Sequence, residues 1–299
     1  MAVRLSLFMN FSRLIAGTMK WGSWGAQFAP ADYLRLVEGC LALDITTFDH
    51  ADIYGYASTE AEFGDALAGL SSLRTRMQLI TKCGIRLVRP QRPDRQIKHY
   101  DTSKEHILES VHQSLERLRT DYIDLLLIHR PDPLMHPDEI AEVFTALRTQ
   151  GKVLHFGVCN FMPSQVDMLR SRFPIMVNQV EVSILHLDAF VDGTLDHCLT
   201  HRMTPMAWSP LGGGQLFGRE DNDRHKRIIA VAEILGEKYE AGGDQILLSW
   251  LLRHPSGILP ILGTSKLERI QKALLATQIP LTREEWFLLW RASTGQEVA

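Results

Sequence analysis

The chain reads as an α/β protein of the closed (β/α)8 barrel class, the TIM barrel, and three observations carry that reading. Eight short runs rich in Ile, Val and Leu lie near residues 13–17, 45–49, 77–82, 123–129, 153–159, 175–180, 204–208 and 258–262. Most are separated by segments whose apolar residues recur three and four apart, the period of a helix with one buried face. The length, 299 residues, suits a barrel of roughly 250 residues with insertions. Strand and helix in alternation imply a parallel sheet. A doubly wound open sheet is the competitor, but no Gly-x-Gly-x-x-Gly follows the first run, and no shift in composition marks a boundary. One domain over 1–299, with extra helices and long loops on the C-terminal face, is expected.

Taken in order, the helical segments show their own punctuation. Tyr33-Leu34, Val37 and Leu41 form one apolar stripe, with Asp32 placed for a first turn. Thr102-Ser-Lys-Glu105 has the spacing of a capping box ahead of Ile107-Leu108, Val111, Leu115 and Leu118. Pro137 and Pro163 suit the first turns of later helices. Three segments exceed the repeat: Cys83 to Asp101, which carries Arg86, Arg89, Arg92, Arg95 and Lys98; the glycine-rich Leu211–Gly218; and a helical stretch over about 223–239. Long loops of this kind often serve as lids or binding loops. Leu281 to Trp290 reads as a last amphipathic helix.

Composition excludes several classes. A formal net charge of -3 and the absence of like-charge blocks give no footprint for nucleic acid. No run approaches the roughly 18 apolar residues of a membrane span, and the first residues lack the apolar core and cleavage site of a signal peptide. The four cysteines, Cys40, Cys83, Cys159 and Cys198, form no Cys-x-x-Cys pair, so reduced thiols in a cytoplasmic protein are expected. His197 and His201 have a chelating spacing on an expected helix, but no third ligand is evident and no metal is assigned. Gly212–Gly214 is not followed by Gly-Lys-Ser/Thr, and no Gly-x-Ser-x-Gly elbow is present.

Four ionisable residues stand where apolar runs end. Asp49, Tyr54, Lys82 and His129 close Ile45–Tyr54, Met77–Lys82 and Ile123–His129. On parallel neighbouring strands they would converge on one rim. A lysine beside Tyr54 favours phenolate, so the phenol is expected to titrate below its usual value of about 10. Asp49 would hold Lys82 charged, and His129 would share a substrate oxygen with Tyr54. A phenolic acid in an oxyanion site suits protonation of a carbonyl oxygen as its carbon is reduced. Such proton donation contributes about 10²- to 10⁴-fold in rate.

Seven segments strengthen this into a family resemblance. Phe48–Gly55, Thr81–Gly84, Leu125–His129, Gly157–Phe161, Asn178–Glu181, Ala207–Gly212 and Pro260–Arg269 closely resemble the motifs of the aldo-keto reductases. They follow that family's order between Gly17 and about Ala276, with a bacterial branch of oxidoreductases most alike. The resemblance implies a barrel that binds NADPH (NADP+) across its C-terminal rim, a small carbonyl substrate, and a monomer. It implies Asp49, Tyr54, Lys82 and His129 as the catalytic set. It implies cofactor contacts from Gly17, Thr18 and Met19, from Cys159, Asn160 and Gln179 at the carboxamide, and from Trp208 stacked on the nicotinamide. Ser209, Leu211 and Gly212 fall on the pyrophosphate side, and Gly263, Thr264, Ser265, Lys266 and Arg269 around the 2′-phosphate. Cys159 stands where serine is common, His50 where a small residue is common, and Lys272 and Ala273 where Glu and Asn often meet adenine. Trp21 and Trp24 are candidates for the substrate pocket. Two other functions compete: a cofactor-binding regulatory subunit on the same scaffold, and a lyase or isomerase using Lys82 as a Schiff base.

Overall fold

The computed structural model describes residues 11–88, 96–218 and 222–299. Each of the eight apolar runs forms a strand, because a strand covered on both faces tolerates a continuous apolar sequence. The strands are β1 (Ile15–Gly17), β2 (Thr47–Asp49), β3 (Gln78–Cys83), β4 (Ile85–Arg86), β5 (His99–Tyr100), β6 (Ile123–Ile128), β7 (Val153–Cys159), β8 (Val177–Glu181), β9 (Thr204–Trp208) and β10 (Leu259–Leu262). The helices are α1 (Pro30–Ala42), α2 (Thr59–Ala66), α3 (Ser71–Arg74), α4 (Lys104–Arg117), α5 (Pro137–Thr149), α6 (Pro163–Arg170), α7 (Thr194–His201), α8 (Asp223–Tyr239), α9 (Gly243–Leu252), α10 (Leu267–Leu274) and α11 (Arg283–Thr294).

All but β4 and β5 close into a parallel barrel in the order β1-β2-β3-β6-β7-β8-β9-β10, with β10 returning to β1. The register pairs Gly17 with Asp49, Lys82 with Leu127, and Cys159 with Gln179. Polar residues at the strand ends therefore follow one another around a single rim. Inside the barrel, Ile15, Ile80, Leu125, Leu127, Val177, Met206, Leu259 and Ile261 form the filling. Further apolar clusters lie between sheet and helices, each large side chain contributing about 1.5–3 kcal/mol on burial. Gly157 is required where β7 meets β8: a Cβ there would stand 2.7 Å from the Val177 carbonyl oxygen.

The long loop after β3 contains structure that its sequence did not reveal. β4 and β5 pair antiparallel, and Arg86 holds Asp101 at 2.8 Å at their base. Arg89, Arg92 and Arg95 lie outside the described residues. The capping box expected at Thr102 is one residue off: Ser103 caps α4, its Oγ accepting from the His106 amide at 3.4 Å. Thr102 instead donates to Asp132 at 3.0 Å, tying that loop to the one after β6. The extra stretch at 223–239 is α8. The tail helix α11 begins with a reciprocal box between Thr282 and Glu285 and stacks Trp286 on Trp250 at 4.9 Å. No helix among the described residues is long and apolar enough to cross a membrane.

Candidate active site

Adjacent strands β2, β3 and β6 deliver three of the four ionisable groups to the C-terminal rim. Asp49 ends β2, Lys82 is next to last in β3, and His129 follows β6. Tyr54 opens a tight turn after β2 in which Gly55, Tyr56 and Ala57 all take left-handed φ, of 59°, 57° and 77°. The Lys82 ammonium is wholly buried and donates to both Asp49 oxygens at 2.7 Å and to the His50 carbonyl at 2.8 Å. It also lies 3.3 Å from the Tyr54 hydroxyl. The His129 ring meets the Tyr54 ring edge-on, with centroids 6.2 Å apart.

Burial dominates the protonation of this group. The Tyr54 hydroxyl is pushed up to about 12, because desolvation of the phenolate outweighs the attraction of Lys82 and is helped by Asp49. The expectation of a lowered value is overturned: Lys82 acts in the predicted direction, but a buried phenolate costs more than one paired ammonium returns. Lys82 itself is held above its usual range. Burial opposes its charge, but Asp49 and then Tyr54 more than compensate. His129 is kept well below the usual imidazole range by burial and by the cations Lys82, Arg130 and Lys98. The site thus presents an ammonium, a neutral phenol and a neutral imidazole side by side.

His50, between Asp49 and Ala51, is packing rather than rim. It is fully buried, meets Phe63 edge-on at 4.5 Å, and its Nδ1 lies 3.0 Å from the Thr18 hydroxyl. Burial, then Lys82, lowers it to about 3. In the unfolded chain a histidine binds its proton near pH 6.5. The folded form therefore loses stability as pH falls below that value and towards the depressed one. Between pH 7 and pH 5 this residue alone should cost about 2 kcal/mol. Urea unfolding of wild type and His50→Asn at both pH values reads this out, and an equal pH dependence in the two would contradict it.

The remaining rim residues continue around the barrel. Gln179 on β8 donates to Asp49 at 2.9 Å, bracing the carboxylate that holds Lys82. The Asn160 carbonyl accepts from the Trp208 indole at 3.0 Å, and its amide donates to the Cys159 sulfur at the same distance. Burial raises that thiol to about 11, so it sits as a neutral, soft partner. Asn160 and Ser209, at the ends of β7 and β9, hold left-handed φ of 58° and 49°. Such strain in non-glycine residues gathers where a site needs a side chain aimed unusually. Gly17 and Thr18 are buried at the end of β1 and Met19 is exposed beside them. Ser209, Leu211 and Gly212 form the turn after β9, closed by the Gly212 amide on the Ser209 carbonyl at 2.8 Å. Gly263, Thr264 and Ser265 follow β10, and Lys266 and Arg269 stand exposed at the start of α10. Every predicted site residue therefore falls on this one rim.

A profile described as the Aldo/keto reductase family matches residues 13–291. The chain belongs to the aldo/keto reductase family. It is 46% identical to the "Uncharacterized oxidoreductase YcsN" of Bacillus subtilis (strain 168), over 99% of each chain. It is 40% identical to a "6-dehydroglucose reductase" of Agrobacterium fabrum, again over 99% of both. Among solved structures, an aldo/keto reductase from Klebsiella pneumoniae in complex with NADP and acetate superposes with a TM-score of 0.74 at 26% identity, covering 94% of this chain and 91% of that one. This aldo/keto reductase is accordingly an NAD(P)H-dependent oxidoreductase with a nicotinamide cofactor.

The rim chemistry of this aldo/keto reductase fits such a cofactor. Trp208 offers a half-buried aromatic face beside Asn160, and neither Lys266 nor Arg269 makes an ion pair among the described residues. Two unpartnered cations at a helix start suit a phosphate dianion. Ala273 does not face the rim, being buried against the core, whereas Lys272 is exposed. Trp21 is also core, packed among Tyr33, Phe48 and Phe63, while Trp24 lies against Tyr54 at 6.1 Å.

One rim residue was missed. Arg130 donates to the His129 carbonyl at 3.0 Å and to the Cys159 sulfur at 3.3 Å, and its guanidinium lies 5.8 Å from the Trp208 ring. Its place directly after His129 was the available signal. The absence of a third ligand near His197 and His201 also needs correction, since the Asp167 carboxylate meets both. A cleft of about 540 Å³ lined by Phe11, Arg170, Ile175, Arg202 and Thr204 opens at the opposite end of the barrel and touches none of the rim residues.

Proposed function

We propose that this aldo/keto reductase reduces aldehydes or ketones to alcohols with NADPH, and runs in reverse with NADP+, Tyr54 being the proton donor. The observation that carries the reading is the buried chain Asp49–Lys82–Tyr54, which ends in a phenol that keeps its proton. Bound nicotinamide supplies the hydride. Tyr54 gives its proton to the substrate oxygen as negative charge develops there. Lys82 lies against the resulting phenolate and stabilises it when it is needed, in the transition state rather than before it. Asp49 keeps Lys82 charged and aimed, and Gln179 keeps Asp49 aimed. His129, being neutral, can donate one hydrogen bond to the same oxygen without repelling Lys82.

Asn160 and Gln179 would hold the carboxamide, Trp208 the nicotinamide face, and Lys266 with Arg269 the 2′-phosphate. The Schiff-base alternative is disfavoured by the same contacts: a lysine donating to Asp49 and held as ammonium is a poor nucleophile. Relatives that act on 6-dehydroglucose point to oxidised sugars among the substrates worth testing.

The test is cofactor oxidation over a panel of aldehydes, ketones and dicarbonyls, oxidised sugars included, with NADH as control. Turnover with NADPH is expected. Tight NADPH binding with no turnover anywhere on the panel would favour a regulatory subunit instead. Removing the two cations (Lys266→Ala with Arg269→Ala) should raise the KM for NADPH by about tenfold, each contributing below the usual range for a charged hydrogen bond because both residues are exposed. The KM for NADH should not move. A parallel rise for both cofactors would remove the assignment of these residues to the 2′-phosphate.

A further inference from the structure

Outside the rim, one cluster among the described residues has the chemistry and the convergence of a ligand site. Helix α7 places His197 and His201 one turn apart, so that their rings stand side by side with centroids 4.3 Å apart. Neighbouring helix α6 brings Asp167 against them. The Asp167 Oδ1 lies 2.7 Å from the His197 Nε2 and 3.3 Å from the His201 Nε2, and the three potential ligand atoms all fall within 4.8 Å of one another. Both imidazoles present the same nitrogen to the same carboxylate oxygen. His197 is nearly buried at 10% exposure, while Asp167 is 55% exposed, so water can reach the point where the three meet.

We propose that Asp167, His197 and His201 bind a divalent transition-metal ion of the Zn²⁺ or Ni²⁺ class, clipping α6 to α7. Ligands at about 2.0–2.2 Å from a tetrahedral ion stand roughly 3.3–3.6 Å from one another, so Asp167 and His197, now 2.7 Å apart, separate by roughly 0.6–0.9 Å as an ion enters between them. Two imidazoles and one carboxylate match the ligand preference of these metals, and water completes the fourth position. The carboxylate opposes part of the ion's charge. None of the three residues lies on the rim, and the ion would act on the stability of the outer helical layer rather than on turnover. The cluster also explains a pairing of two histidines and one acid that the reductase reading leaves unused.

The experiment uses the full, tag-free protein stripped with chelator. Titration with Co²⁺, followed by its visible absorption, and with Zn²⁺, followed by calorimetry, should each show one ion per chain. Zn²⁺ at 100-fold excess over its dissociation constant should raise the Tm by roughly 5 °C. His197→Gln, His201→Gln and Asp167→Asn should each weaken binding by more than about tenfold, since direct ligands matter at least as much as their outer partners. Near-wild-type kcat in these variants, as none touches the candidate active site, is the internal check that they are folded. Absence of stoichiometric binding in wild type, or binding unchanged in all three variants, overturns the site.

Discussion

Tyr54→Phe should lower kcat for carbonyl reduction by about 10²- to 10⁴-fold while leaving the dissociation constant for NADPH unchanged. The substitution removes one oxygen and keeps the ring against Trp24 at 6.1 Å and against His129 at 6.2 Å. Lys82 loses its 3.3 Å contact with the phenol but retains Asp49 and the His50 carbonyl, so no buried charge is stranded. Stability should therefore hold, and the loss should appear in the chemical step alone. The direction of the phenol's titration adds a second readout. An acid that keeps its proton up to about 12 is fully loaded at neutral pH and is lost only as pH rises towards that value. The reduction rate in wild type should thus show no fall between pH 6 and pH 9 that traces to Tyr54. Stopped-flow measurement of the bound-state rate in both proteins checks the two points together, and turnover retained in the phenylalanine variant would remove Tyr54 from the mechanism.

That phenol also marks the boundary between what the chain's sequence reveals and what it does not. The eight barrel strands were legible because continuous apolar runs have few alternatives to a strand covered on both faces. The placement of Asp49, Lys82 and His129 followed from where those runs end. Their electrostatics did not follow: the sequence puts a cation beside Tyr54, but only the packed structure weighs that cation against the desolvation of a phenolate. The same limit applies at α4, where Thr102 and Ser103 are both competent caps. The choice fell to Ser103 because Asp132, thirty residues on, accepts from Thr102. Asp167 escaped for the same reason, since its thirty-residue separation from His197 closes only when α6 and α7 pack. The pairing of β4 with β5 is local but two residues long, below what periodicity can register. Family motifs, not periodicity, single out Asn160, Trp208 and Lys266, which lie just after β7, at the end of β9 and at the start of α10.

Lys82→Met should be the most damaging single change, because it strikes fold and chemistry together. It leaves the Asp49 carboxylate, 3% exposed, with the Gln179 amide at 2.9 Å but without the two bonds from the Lys82 ammonium. Stranding one member of a buried ion pair costs about 3–5 kcal/mol. Turnover should vanish with it, since the phenolate that Tyr54 forms would have no cation beside it. The double variant Lys82→Met with Asp49→Asn separates the two effects. Removing both charges restores much of the stability, as replacing a whole buried pair is often nearly neutral, but it cannot restore turnover. Urea unfolding of the single and double variants alongside their kcat values therefore distinguishes a structural salt bridge from a catalytic one. Recovery of both properties in the double variant would mean that the ammonium does no chemistry. Recovery of stability without activity is the result expected of a lysine whose charge the barrel holds for the sake of the phenol beside it.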